Sequence, residues 1–170
     1  MAKREERKPR YENNDGFDAK TLEIKRVTKV TKGGKTMRIS ALVVVGNKKG
    51  MVGFGLGKDR ETTVAINKAT QSAKKNLISV PIVNGTIPHE IVGRYSATQV
   101  VMLPAKEGNG IIAGGASRAV FELSGIKDIT SKTHGSTNKM NGVRAAINGL
   151  TSLRSAEQVA ALRGKTVVEL

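Results

Sequence analysis

Residues 51–58 read Met-Val-Gly-Phe-Gly-Leu-Gly-Lys, and a strand so rich in glycine limits what can lie against it. With so little side-chain bulk, a helix or an RNA backbone can approach closely. A phosphate-binding loop is the competing reading of Gly53-Phe54-Gly55-Leu56-Gly57-Lys58. That loop needs Ser or Thr after its lysine to hold magnesium, yet Asp59 follows Lys58, and its first glycine would fall at Val52. Close packing is the better reading, and the next segment suits it. Asp59 is a candidate N-cap, and Thr62, Ile66, Ala69, Ala73 and Leu77 recur at helical spacing. These residues are small, so the helix should sit close to the sheet, with Lys68, Lys74 and Lys75 off the packed face.

Upstream, Thr21–Val30 and Met37–Val45 read as strands around the turn Lys32-Gly33-Gly34-Lys35. A second turn at Gly46–Gly50 leads into the glycine strand, Met51–Leu56, which completes a three-stranded antiparallel meander with one helix. Pro81 and Asn84-Gly85-Thr86 suggest a boundary. The expected organisation is a tail at 1–19, a first domain at 20–80, a linker at 81–86 and a second domain at 87–170. The second domain alternates strands (Ile87–Tyr95, Thr98–Leu103, Lys127–Ser131) with helices. One helix is marked by Ile112, Ala116, Ala119, Val120 and Leu123. Another runs on Met140, Val143, Ile147 and Leu150, and a last short one opens on the capping-box pattern Ser155-Ala156-Glu157-Gln158, with Val159 and Leu162 inward. The fold class is α+β.

Charge separates these units. The chain has 29 Lys+Arg against 14 Asp+Glu. The tail is neutral, residues 20–80 carry 14 basic and 3 acidic groups, and residues 81–170 carry 10 and 6. An excess of this size points to a polyanion, and to one face of the first domain. The expected contacts are Lys25, Arg26, Lys29, Lys32, Gly33, Gly34, Lys35, Arg38, Lys48, Lys49, Lys58, Arg60 and Lys68. Turns on one end of the small sheet, together with a helix N-terminus, would straddle a groove and meet phosphates. Three Phe, two Tyr and no Trp cannot furnish a generous base-stacking platform, which favours folded or double-stranded RNA over single strands.

Other chemistries lack their residues. No cysteine is present, which excludes disulfides, thiol catalysis and zinc ribbons, and two histidines make a metal site improbable. Gly108-Asn109-Gly110-Ile111-Ile112-Ala113 matches a dinucleotide-binding pattern, but Pro104-Ala105-Lys106-Glu107 separates it from the preceding strand. The polar run from Ser131 to Asn138 precedes a helix and reads as an anion site, with Lys132, His134, Ser136 and Asn138 as contacts. His89 reads as structural or surface. The sequence calls for no catalytic residue, metal, cofactor, small-molecule substrate or membrane span. The N-terminus lacks a secretory signal and its acidic residues argue against a transit peptide, so a cytoplasmic location is expected.

The blocks KVTKGGKTMRISALVVVGNKKGMVGFGLGK, ATQSAKKNLISVPI, TIPHEIVGRY, PAKEGNGIIAGGASRAVFELSGIKDI, KTHGSTN and EQVAALRGKTVVEL together resemble the bacterial small-subunit ribosomal protein five family, from about Leu22 to Leu170. The resemblance implies a double-stranded-RNA-binding-like first domain and a βαβ-type, two-layer second domain of a small-molecule-kinase-like superfamily. It also implies a constituent of the small ribosomal subunit that binds 16S rRNA and supports assembly and decoding accuracy. Its neighbours would be ribosomal proteins four and eight and the path by which mRNA enters, with Gly110 and Arg118 at the interface with protein four. Two positions depart from the family pattern: Ile39 stands where an aromatic is usual, and Lys139 where proline often follows the loop. The alternatives are a double-stranded-RNA-binding module outside the ribosome and a small-molecule kinase-like ATP binder built on residues 104–115. The latter lacks phosphate-binding hydroxyls in its loop, whose middle holds Ile111 and Ile112.

Overall fold

Alternating side chains along four strands build the first sheet in a computed structural model that describes residues 16–165. The strands β1 (Asp18–Thr31), β2 (Gly34–Gly46), β3 (Met51–Asp59) and β4 (Leu77–Ser79) pair antiparallel in that order. Of the expected tail at 1–19, residues 1–15 lie outside the described residues, and Asp18 and Ala19 open β1. Residues 166–170 also lie outside them.

Register decides what the glycine strand does. Ala41, Val43 and Val45 stand opposite Gly57, Gly55 and Gly53, so all six share one face. The helix α1 (Thr62–Lys75) lies on that face through Ala65, Ala69 and Ala73. A Cβ on Gly55 would stand 2.1 Å from the Ala69 carbonyl oxygen, and one on Gly57 2.1 Å from that of Ala65. The helix backbone occupies the space that side chains would fill. Two details differ from expectation. Leu77 leaves the helix to join β4, and Ala65 and Thr70 are buried where Thr62 was expected. Glu61 is the N-cap instead of Asp59, whose carboxylate accepts from the Arg60 amide and from Lys68.

The second sheet runs β5 (Ile91–Tyr95), β6 (Thr98–Pro104), β8 (Ile129–Gly135) and β7 (Ile111–Ile112), with β7 parallel to β8. Ile112 therefore belongs to a strand, and α2 begins later, at Gly115–Ser124. The strand expected at Lys127–Ser131 starts and ends later, so Lys132 and His134 lie on β8 and not in a loop. Helix α3 (Lys139–Thr151) is capped by the Asn138 side chain, which accepts from the Met140 amide at 3.1 Å. Helix α4 (Ala156–Arg163) opens on the complete Ser155–Gln158 capping box. Its Ala160 is buried, whereas Leu162 is 72% exposed, contrary to expectation. Arg154 donates its amide to His89 Nε2 at 3.2 Å, which gives that histidine a structural role.

One core joins the two sheets. Leu42, Val44 and Val52, on the face of the first sheet away from α1, pack with Val100, Met102, Phe121 and Leu150. Burying a side chain the size of Phe121 is worth about 1.5–3 kcal/mol. The amides of Lys48 and Gly50 donate to the Leu123 and Ser124 carbonyls at 2.9 and 2.8 Å, locking the β2–β3 loop to the end of α2. Gly125, at φ +93°, ends that helix so close to the loop that a Cβ would lie 2.2 Å from the Lys48 carbonyl oxygen. Arg144 bridges the sheets as well, stacking over Phe54 (5.7 Å) and Tyr95 (4.9 Å) while donating to the Tyr95 hydroxyl. Residues 81–86 form a tight turn closed by a Val83–Thr86 bridge, flanked by buried Val80 and Ile87.

Candidate nucleic-acid interface

The β1–β2 hairpin outruns everything that could cover it. From Ala41 to Gly46 every residue of β2 is buried; from Lys25 to Arg38 every residue of the hairpin is exposed. At the usual rise the naked part extends roughly 20 Å. It carries Lys25, Arg26, Lys29, Lys32, Lys35 and Arg38, closed by the Lys32-Gly33 turn, with Gly34 at φ +138°. The register puts Arg26 and Lys35 on the same side as Met37 and Ile39, and Lys25, Lys29 and Arg38 on the other. The arm is thus cationic on both faces, not on one face as the charge count suggested.

At its root, Arg26 and Arg60 line a cleft of about 90 Å³ with Met37 and Ile39, and Arg38 borders it while the register puts its side chain on the other face. None of the three guanidinium groups has an ion-pair partner among the described residues. Lys29, Lys32, Lys35 and Lys58 are likewise unpaired there. Guanidinium groups in this state present forked donors to phosphate oxygens. Lys25 is held by Glu23 at 3.0 Å. A second cleft, of about 210 Å³, sets Lys25 and Lys58 beside Asn138 and Met140 at the start of α3, so two separate sequence motifs meet.

The remaining expected residues are dispersed. Lys48 and Lys49 lie at the end of the sheet opposite the arm, so the two turns do not share one end. In a meander successive turns fall at opposite ends. Lys48 pairs with Asp18 at 2.6 Å. Lys68 is committed to Asp59, which holds that carboxyl below its usual range, chiefly through the Lys68 hydrogen bond and then through the Arg60 amide. Lys132 and His134 stand opposite Val101 and Gln99 on the outer face of the second sheet, whereas Ser136 and Asn138 line a cavity on its other side. The strand ends at Gly135, whose φ of +81° turns the chain before Ser136 and separates the two pairs.

Gly110 sits at φ +71°, its amide donating to the buried Asp128 carboxylate at 2.8 Å, and a Cβ there would meet nothing within 4 Å. Asp128, which completed the dinucleotide-like spacing, thus braces a loop. Arg118 pairs with Glu122 at 2.9 Å, and no hydrogen bond or ion pair joins it to Gly110 among the described residues. Glu122 also accepts from Lys20 at 2.7 Å; that bond first, and Arg118 after it, lower its carboxyl below the usual value against the opposing effect of burial. Sequence reasoning passed over Lys20, Ser117, Thr133 and Arg144, because nothing within a few residues of each signals its role. Among the described residues no group of acidic or histidine side chains could hold a metal, and no helix is long and apolar enough to cross a membrane.

Residues 17–81 match the family described as Ribosomal protein S5, N-terminal domain, and residues 93–163 match Ribosomal protein S5, C-terminal domain. The chain is 51% identical over 154 residues to the small ribosomal subunit protein uS5 of Hydrogenobaculum sp. (strain Y04AAS1), covering 91% of this chain and 82% of that relative.

Proposed function

This chain belongs to the ribosomal protein S5 family, structural and non-enzymatic constituents of the small ribosomal subunit, and from that premise we propose that its arm binds 16S rRNA. The observation that carries this is the set of three unpaired arginines around the root of a naked cationic hairpin. Such an arm gains little from the body of its own fold, and neutralising phosphates supplies what the fold withholds. Lys25, Lys29, Lys32, Lys35 and Lys58 extend the same surface around Gly33 and Gly34. Lys132 and His134 form a separate contact on the second sheet, and Lys48 and Lys49 another at the far end of the first.

In this reading residues 20–80 are the principal rRNA-binding unit, 81–86 the linker and 87–170 a unit that shares its surface with proteins. Gly110 and Arg118 face ribosomal protein four, and protein eight lies nearby. The open space around Gly110 and the half-exposed Arg118 side chain support an outward role. Decoding accuracy and the path by which mRNA enters are the processes such contacts would influence, in a cytoplasmic ribosome.

The test is salt dependence. Binding to folded small-subunit rRNA should weaken about 10³–10⁵-fold between 50 and 200 mM salt if six to ten phosphates are engaged. Replacing Arg26, Arg38 and Arg60 together by serine should flatten the logarithmic slope by roughly 2–3 units. An unchanged slope overturns the assignment, and absence of the protein from small subunits in a high-magnesium gradient favours a free RNA-binding module.

A further inference from the structure

Away from the arm, the two long helices of the second unit begin at one cavity of about 560 Å³. Helix α2 is capped by Gly114, which has no side chain to satisfy its first amides. The first backbone bond of that turn runs from Arg118 to the Gly114 carbonyl at 2.8 Å, so the amides of Gly115, Ala116 and Ser117 have no backbone acceptor. Helix α3 approaches from the other side, with Asn138 and Lys139 at its start. Partial positive charge at two helix ends is thereby aimed at one space.

A helix end alone would mean little, since water satisfies most of them. The second observation is Ser117. It is 1% exposed, lines this cavity, and its hydroxyl makes no hydrogen bond among the described residues. No group among the described residues partners that hydroxyl, so a ligand entering the cavity can take it. Every charged side chain on the wall is cationic: Lys20 and Lys139, held at the rim by Glu122 (2.7 Å) and Glu23 (3.6 Å). Thr133 and Thr137 add hydroxyls, and the lining has no carboxylate.

We infer that this cavity binds a phosphate group, taken between the amides of residues 115–117, the Ser117 hydroxyl and the ammonium groups of Lys20 and Lys139. Its chemistry is independent of the arm. The phosphate belongs either to an RNA backbone, in which case the inference rests on the function proposed above, or to a free nucleotide.

Amide NMR on the full chain separates these. Inorganic phosphate, titrated through the low-millimolar range, should shift the amides of Gly115, Ala116 and Ser117 in a saturable manner. Ser117→Ala should weaken that binding roughly tenfold, with unchanged resonances elsewhere verifying that the variant is folded. Lys139→Gln should also weaken it, from a surface position that leaves the core intact. A linear drift without saturation, or saturation indifferent to Ser117→Ala, overturns the inference. Folded small-subunit rRNA that shifts the same amides identifies the backbone phosphate as the source; adenosine monophosphate shifting them while RNA does not identifies a nucleotide. Phosphate binding at 115–117 with no RNA contact on the arm would refute the function proposed above and leave this site standing.

Discussion

Two halves of one hairpin have opposite fates. Near its base, Ala41, Val43 and Val45 pack on α1 while Leu42 and Val44 pack on the shared core, so β2 is buried on both sides. Beyond Ile39 the same two strands continue in unbroken register to the Lys32-Gly33 turn with nothing on either face. Val30 is 69% exposed there and Met37 58%. Base cations are engaged, Lys20 with Glu122 and Lys48 with Asp18; most tip cations have no partner. The difference teaches that strand pairing and packing are separable, and that the unpacked half is where the chain has charge to give away.

Glycine gives the largest test of that comparison. Gly55→Val puts a branched side chain where even a Cβ is 2.1 Å from the Ala69 carbonyl oxygen. Overpacking costs about 1–3 kcal/mol and occasionally more, and contact with helix backbone belongs at the high end. Urea denaturation should show a loss of at least about 3 kcal/mol or an unfolded protein. Gly33→Ala meets nothing within 4 Å and should stay within about 0.5 kcal/mol. Comparable losses at the two sites would break the contrast.

A smaller effect separates the apolar residues. Val43→Ala, at a fully buried site, should cost about 2 kcal/mol. Met37→Ala should leave the isolated protein within about 0.5 kcal/mol of wild type in the same denaturation series. A costly Met37→Ala would mean that the arm folds back on the body in solution.

The smallest concerns pH. The Glu122 carboxyl titrates below its usual value because Lys20, and then Arg118, hold it. Its stabilising contribution is complete above the unfolded carboxyl value, about 4.3, and is lost as pH falls through the lower folded value. With the side chain 34% exposed, the contribution should be below about 1 kcal/mol. Glu122→Gln should flatten the acid limb of the thermal-stability profile by that amount, and an unaltered limb would show that the base ion pairs are as inconsequential as free surface charge.

Local signals suffice at some element ends, where hydrogen-bond geometry within a few residues settles them, and not at Asp59, where Glu61 is the cap. The Ser155–Gln158 box and the Lys32-Gly33 turn both involve groups at most four positions apart, and the strands of the first sheet follow from their apolar patterning. The charge excess of residues 20–80 and the glycine strand's demand for a close neighbour are equally properties of the chain itself. Tertiary structure decided the rest. The sequence offered a helix or an RNA backbone for Gly53, Gly55 and Gly57, and only the fold chose α1. It placed the two basic turns at opposite ends, turned Lys132 and His134 away from Ser136 and Asn138, and set Arg144 between Phe54 and Tyr95. Lys20 and Glu122 are 102 residues apart, and Ser117 meets Lys139 across a cavity walled by both helices. No local rule links such positions, because their proximity is fixed by how whole elements pack.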